Sequence, residues 1–191
     1  MEDDKKFTGK IYVACESGTE SVRDAYHHVF FKNGYAYATD AHILARVRLS
    51  TITQGFEQDE LSNLDGKSVH RDVFKQLLKY KHVDIKEDRI EAKFGHHTVS
   101  FSLLDEKVVK APDFDSIIES ELTEERTPIK NIGINSEYLN NLAIAMGVFA
   151  SVKLDFTTIN SKIYVTDTSC VNDALGIIMP TYIEPLLEGF E

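Results

Sequence analysis

The stretch YHHVFFKNGYAYATDAHILARVRL, residues 26–49, decides how this chain folds. Its first apolar run ends at Asn33-Gly34, a dipeptide typical of tight hairpin turns because both central residues take positive φ. Large and small side chains then alternate through residues 35–39, which is the period of a strand with unequal faces. The polar interruption Thr39-Asp40-Ala41-His42 precedes a second alternating segment, Ile43 to Leu49. The stretch therefore predicts consecutive antiparallel strands with a polar corner that displays side chains.

The composition is that of a globular protein with an excess of acidic residues. The 191 residues are 42% hydrophobic and 27% charged, and they can bury the core of one domain or somewhat more. No apolar run reaches the roughly 18–20 residues of a membrane helix. The charged start MEDDKKFTGK has no apolar signal core, so we expect a cytoplasmic protein without a membrane partner. The net charge of −10 argues against strong autonomous nucleic-acid binding.

Two segments have the apolar period of amphipathic helices. The first is predicted near residues 69–81, and its basic residues recur at intervals of four, at Arg71, Lys75 and Lys79. We call these three residues the basic stripe. The second is predicted near residues 136–147 and contains no lysine or arginine. The spacing leaves two interpretations of the basic stripe open, a face that contacts DNA phosphates or an ordinary solvated face.

Alternating segments predict strands on either side of these helices. They are expected at residues 10–15, 82–86, 89–94, 98–103, 132–134, 152–157, 162–167 and 175–179. The acidic segment 119–131 separates the two halves and is the expected linker. The order strand, helix and three strands occurs on each side of it, with a spacing of about 60 residues. The sequence therefore predicts an α+β chain with antiparallel sheets and a repeated half-domain.

The residues of this repeat resemble the DNA sliding clamps, the beta subunits of bacterial DNA polymerase III. FFKNGYAYATDAHILARV is similar to the family's hairpin and corner. The segments that resemble later parts of the family, in the same order, are VHRDVFKQLLKYKHVDIKEDRIEAKFGHHTVSFSLLDEK, APDFDSII, NIGINSEYLNNLAIAMG and GIIMP. The likeness spans about residues 26–185. It implies a clamp-like α+β fold of two amphipathic helices on antiparallel sheets, equal to about one and a half clamp domains.

The resemblance also implies a division of the chain and shows where it departs from the clamp pattern. Residues 1–118 would be a clamp-like domain whose first half lacks its helix, with KIYVACESG in its place. Residues 119–131 would be the acidic linker, and residues 132–191 a half-domain with a C-terminal extension, TYIEPLLEGFE. The corner has Ala41 and Ile43 where the family has glycine and arginine. These departures argue against a closed ring around DNA and leave self-association open.

The function implied by the resemblance is that of a non-catalytic scaffold in DNA replication or repair. In clamps, a short linear peptide of a partner enters a hydrophobic pocket between the corner and the Met-Pro end of the last domain. The matching residues are Thr39, Ala41, His42, Ile43, Leu44, Ile178, Met179 and Pro180. Duplex DNA is a second, weak partner through the basic stripe. The alternative is a clamp-derived adaptor or decoy that binds protein and no DNA.

Motifs for catalysis or metal binding do not occur in the sequence. The seven histidines include two adjacent pairs, His27-His28 and His96-His97, but neighbouring strand residues point to opposite faces. No HExxH or CxxC spacing is found. Asp40 and His42 lack a nucleophile in a glycine-rich elbow, and there is no phosphate-binding loop. We therefore expect neither enzyme activity nor a cofactor or metal. Cys15 and Cys170 are expected to be buried thiols.

Overall fold

Strands dominate the part of the chain that the structure describes. This computed structural model describes residues 4–15, 23–119, 132–148, 150–156, 162–169 and 173–181. The strands are β1 Lys6–Phe7, β2 His28–Lys32, β3 Tyr35–Thr39, β4 Ile43–Arg48, β5 Thr53–Gln54, β6 Lys67–His70, β7 His82–Ile85, β8 Arg89–Phe94, β9 His97–Ser102, β10 Leu104–Asp105, β11 Val152–Phe156, β12 Ile163–Asp167 and β13 Ala174–Ile178. The α-helices are α1 Leu49–Ile52, α2 Gln58–Ser62, α3 Arg71–Leu77, α4 Phe114–Glu119 and α5 Ser136–Met146. Two 3-10 helices span Ile11–Ala14 and Asp24–His27. Across the described ranges, no helix has both the length and the hydropathy needed to span a membrane.

The largest sheet contains strands from both halves of the chain. Its order is β10-β6-β2-β3-β4-β13-β12-β11, and every neighbouring pair is antiparallel. The turn between β2 and β3 has φ values of 53° at Asn33 and 78° at Gly34, as the hairpin prediction requires. Smaller sheets are formed by β7-β8-β9 and by β1-β5. The predicted α+β fold with antiparallel sheets is confirmed.

This sheet carries a hydrophobic core on each face because side chains alternate along its strands. Phe31 belongs to the larger core, which also contains residues of α3 and α5. Phe30 and Tyr37 belong to the smaller core on the opposite face. There the Tyr37 ring stacks on Phe114 of α4, with centroids 4.6 Å apart. Helix α4 therefore covers the second face close to the middle of the sheet.

Helix α5 packs across the junction between β4 and β13. Asn135 caps it by accepting a hydrogen bond from a first-turn amide at 2.9 Å, and Gly147, with φ at 71°, ends it. Leu142 and Met146 are buried against Gly176 of β13, where a Cβ would lie 2.5 Å from Leu142 Cδ2 and 2.7 Å from Met146 Sδ. The missing side chain at Gly176 therefore lets the helix approach the sheet closely. The prediction of a helix near residues 136–147 is confirmed.

The other predicted helix is shorter than its sequence pattern. Residues Lys67–His70 form β6, which pairs with β2, and the helix begins only at Arg71 and ends at Leu77. Backbone pairing in the sheet thus overrides the helical period at the start. His70 is instead the N-cap of α3, since its Nδ1 accepts from Asp72 N at 3.2 Å. The prediction of a helix over residues 69–81 is wrong at both ends.

The segment at residues 10–15 forms a 3-10 helix, Ile11–Ala14, so the predicted strand there is wrong. Ile11 and Ala14 are fully buried, and this short helix packs against α5 and α3. It also packs against β2, β3 and β4, so its apolar residues are buried between helices and the largest sheet without forming a strand of their own. One helical turn therefore stands where the resemblance implied a missing helix.

Several sequence predictions fall outside the described residues. They include Cys170, nearly all of the acidic linker and most of the C-terminal extension, so the domain boundaries at residues 118 and 132 remain predictions. Cys15 is buried as expected, and burial raises the pKa of its thiol to about 12. Burial therefore disfavours the thiolate of Cys15, which is the reactive form of a cysteine.

Candidate functional site

The corner between β3 and β4 is fixed by its own hydrogen bonds. Asp40 Oδ1 accepts from the backbone N–H groups of His42 and Ile43, both at 2.8 Å. Thr39 Oγ1 accepts from Ala41 N at 3.1 Å and donates to Ile43 O at 2.6 Å. Ala41 has φ at 78°, a left-handed conformation that favours glycine. The corner is therefore an ordered turn that holds the His42 side chain at the surface.

Strand β13 brings the second predicted segment to this corner. Met179 N donates to His42 O at 2.9 Å. Two positions back along the ladder, Ile177 lies opposite Leu44. The His42 ring stacks on Tyr138 of α5, with centroids 5.1 Å apart and planes 12° apart. Two segments that are far apart in the sequence therefore meet in space, braced by the first turn of α5.

A cavity of about 190 Å³ opens beside this junction, and we call it the corner groove. Its lining residues are Arg23, Tyr26, Thr39, Ala41, His42, Ile43, Leu44, Pro112, Ile117, Lys162, Ile177 and Met179. Leu44 and Ile177 are only 3% and 2% exposed, whereas Met179 is 40% exposed. The volume lies below the roughly 300–1,000 Å³ of pockets for drug-sized ligands. The corner groove therefore suits an apolar anchor side chain better than a cofactor, and Met179 can adapt to its shape.

Two basic residues lie at the edge of the corner groove. Arg23 Nη1 donates to the Tyr26 hydroxyl at 3.1 Å. Lys162 Nζ donates to Ile117 O at 3.0 Å. Among the described residues that line the corner groove, none is Asp or Glu. Apolar walls beside positive charge favour a ligand that combines apolar side chains with carboxylates.

The structure places most, but not all, of the predicted groove residues here. The corner residues from Thr39 to Leu44 named by the resemblance, together with Met179, line the corner groove, whereas Ile178 and Pro180 do not. Ile178 is fully buried in the larger core, because neighbours along β13 alternate between faces. Its predicted place at the groove is wrong, and Ile177 occupies that place instead. Ile43 also belongs to the larger core.

Other lining residues were not predicted from the sequence. They are Arg23, Tyr26, Pro112, Ile117 and Lys162. These residues come from a 3-10 helix, from the segment around α4 and from the residue before β12, none of which has a motif. Only the position of Ile177 could have been found, because strand alternation places it on the face of Leu44.

The basic stripe does not form a single helical face. Arg71 is the first residue of α3, and its side chain is only 15% exposed, with Nε 3.9 Å from Asp72 Oδ1. Lys75 is exposed on the helix. Lys79 lies beyond the end of α3, where its backbone N–H donates to Gln76 O at 2.9 Å. The geometric premise of a three-residue stripe on one helix is therefore wrong, and a role for these residues in DNA binding stays a prediction.

Three histidines gather next to the start of α3. The His70 ring lies 5.3 Å from His28 and 6.1 Å from His27, measured between centroids. Burial, followed by the positive charge of these neighbours, lowers the pKa of His70. Within the described ranges, no group of three or more His, Cys, Asp or Glu residues could hold a metal ion. His70, the N-cap residue of α3, is therefore the member of this cluster whose pKa is shifted.

The fold defined by these sheets and helices is that of the DNA sliding clamps. No protein-family model matches the chain, and no curated protein matches it.

Solved clamps match the structure over nearly its whole length. The DNA polymerase III subunit beta of Bartonella birtlesii, solved with griselimycin, has a TM-score of 0.60 at 16% identity, covering 96% of this chain and 67% of that one. The C. crescentus beta sliding clamp has a TM-score of 0.61 at 14% identity, covering 96% and 66%. The Helicobacter pylori clamp has a TM-score of 0.60 at 12% identity, covering 96% and 67%. The predicted clamp-like fold is confirmed, and this chain spans about two thirds of the length of those clamps.

Proposed function

We propose that this protein is a non-catalytic, clamp-like scaffold of DNA replication or repair that binds a short apolar peptide of a partner protein in the corner groove. One observation carries the proposal. The corner at residues 39–44, together with Ile177 and Met179, surrounds a solvent-open cavity with a buried apolar lining and an exposed methionine. Such a site offers affinity through a few buried anchors and selectivity through its rim.

The expected affinity is modest. The corner groove is small, so only a few apolar side chains of a peptide can be buried in it. We expect micromolar binding, on the order of −8 kcal/mol. The backbone of the corner and the His42 ring, which is held by Tyr138, would orient the peptide.

Binding of duplex DNA has less support from the structure than binding of a peptide. Helix α5 contains no lysine or arginine, and Arg71 is largely buried. Together with the net charge of −10, these features favour the second candidate, an adaptor or decoy that binds protein without DNA. Retention of duplex DNA decides between the two candidates.

Display of random linear peptides tests the groove itself. We expect enriched peptides to bind the protein with micromolar affinity and to lose at least tenfold in affinity when Met179→Lys places a charge in the apolar wall. Phe94→Lys is the matched control, because Phe94 is 74% exposed on another sheet. Peptides that bind all three proteins equally would place the partner site elsewhere.

A further inference from the structure

The sequence that follows the corner groove has the chemistry of a ligand for it. Met179 lines the groove, and the segment YIEPLLEGFE, residues 182–191, begins three positions later. Its apolar side chains are Tyr182, Ile183, Pro185, Leu186, Leu187 and Phe190. Its charged residues are Glu184, Glu188 and Glu191, with no lysine or arginine. The segment therefore combines apolar anchors with carboxylates, the combination that the groove favours.

Charge limits where such a segment can bind on this protein. The net charge of −10 includes the three carboxylates of the segment, but the rest of the chain is still strongly acidic, so most of its surface repels the segment. The corner groove differs, because Arg23 and Lys162 stand at its edge and its described lining has no acidic residue. Attraction to this edge is electrostatically favourable and sensitive to salt.

The segment is also close enough to reach the groove of its own chain. Thr181 N donates to Gly133 O at 2.9 Å, which fixes the point from which the segment departs. Leu186 is five positions further on, a distance that an extended chain covers with about 17 Å of reach. A short tether gives an effective concentration on the order of 1 mM. Even a weak ligand is then bound most of the time.

We propose that residues 182–191 occupy the corner groove of the same chain and act as an autoinhibitory segment, which a partner peptide must displace. This inference rests on the proposed peptide-binding function and adds its regulation. If the detached segment binds with a Kd of about 10–100 µM, tethering weakens the apparent affinity of any competing peptide about 10- to 100-fold.

The test compares the full chain with a full-length variant whose anchors are removed. This released variant carries Leu186→Ser, Leu187→Ser and Phe190→Ser, which keep the length and the charge of the segment. The probe is a fluorescein-labelled synthetic peptide, YIEPLLEGFE, followed by fluorescence anisotropy. The probe should bind the released variant at least tenfold more tightly than the wild type. Adding Met179→Lys to the released variant should abolish binding, whereas adding Phe94→Lys should not.

Three results would overturn the inference. The first is equal affinity of the probe for the wild type and the released variant. The second is a wild type that is dimeric by light scattering and a released variant that is monomeric, since the segment would then occupy a second copy. The third is failure of the probe to bind the released variant while display-selected peptides still bind its groove, which leaves the proposed function intact. The proposed function itself fails only if no peptide binds the released variant in a manner that depends on Met179.

Discussion

Gly176 offers the sharpest test of how closely α5 packs on the largest sheet. A Cβ at this position would lie 2.5 Å from Leu142 Cδ2 and 2.7 Å from Met146 Sδ, and both neighbours are at most 1% exposed. Gly176→Ala should therefore lower the free energy of unfolding by about 1–3 kcal/mol through overpacking, although alanine suits a strand better than glycine does. Leu142→Ala alone should cost about 2–5 kcal/mol through a cavity.

The double variant decides whether the clash is the cause. Removing the Leu142 side chain makes room for the new Cβ, so Gly176→Ala with Leu142→Ala should cost at least about 1 kcal/mol less than the sum of the single changes. Urea unfolding followed by circular dichroism measures all four proteins. Gly95→Ala is the control partner: its φ of 60° makes alanine costly there, but nothing lies within 4 Å of the added Cβ, so its cost should be additive with that of Leu142→Ala. Additivity of Gly176→Ala with Leu142→Ala would refute the close approach of α5.

Three further predictions concern the corner, the α3 cap and the basic stripe. Ala41→Gly should raise the free energy of unfolding by about 0.5–1 kcal/mol, because relief of left-handed strain exceeds the entropy cost of glycine. A lower free energy of unfolding in urea titrations would contradict this. Because burial and neighbouring charges lower the pKa of His70, the unfolded chain takes up a proton first, and stability should fall as pH drops below about 6.5. His70→Asn, which keeps a capping acceptor, should flatten this part of the pH profile, and an unchanged slope would exclude His70 as the cause. Filter retention of duplex DNA at about 50 mM salt tests the basic stripe. If the wild type retains DNA, replacing Arg71, Lys75 and Lys79 together by Glu should abolish the retention. A wild type that retains no DNA would favour the adaptor.

Local chemistry explains which parts of the fold could be read from the sequence. The Asn33-Gly34 turn and helix α5 have strong signals of their own, a turn dipeptide in one case and a cap with an apolar stripe in the other. The start of α3 was mispredicted because residues 67–70 pair with β2, an interaction between distant parts of the chain. The same limit applies to residues 10–15, whose apolar side chains are buried by packing against helices and against one face of the largest sheet, an arrangement that depends on distant parts of the chain.

The candidate site shows the same division between local and long-range information. The corner and Met179 could be assigned because they match a family pattern over consecutive residues. Ile178 was assigned to the wrong face, since the pattern did not fix the register of β13 against β4. Arg23 and Lys162 reach the corner groove only through tertiary packing, so neither residue type nor spacing pointed to them.

The central claim, that the corner groove binds a peptide, is tested most directly by the methyl signal of Met179. The chain has 3 methionines, Met1, Met146 and Met179, so a protein labelled with ¹³C at the methionine ε-methyl group gives a simple spectrum. When the released variant is titrated with a display-selected peptide, the Met179 signal should shift in a saturable manner. The signal of Met146, which is 1% exposed in the core, should stay in place. Saturable binding that leaves the Met179 signal unchanged would contradict the account.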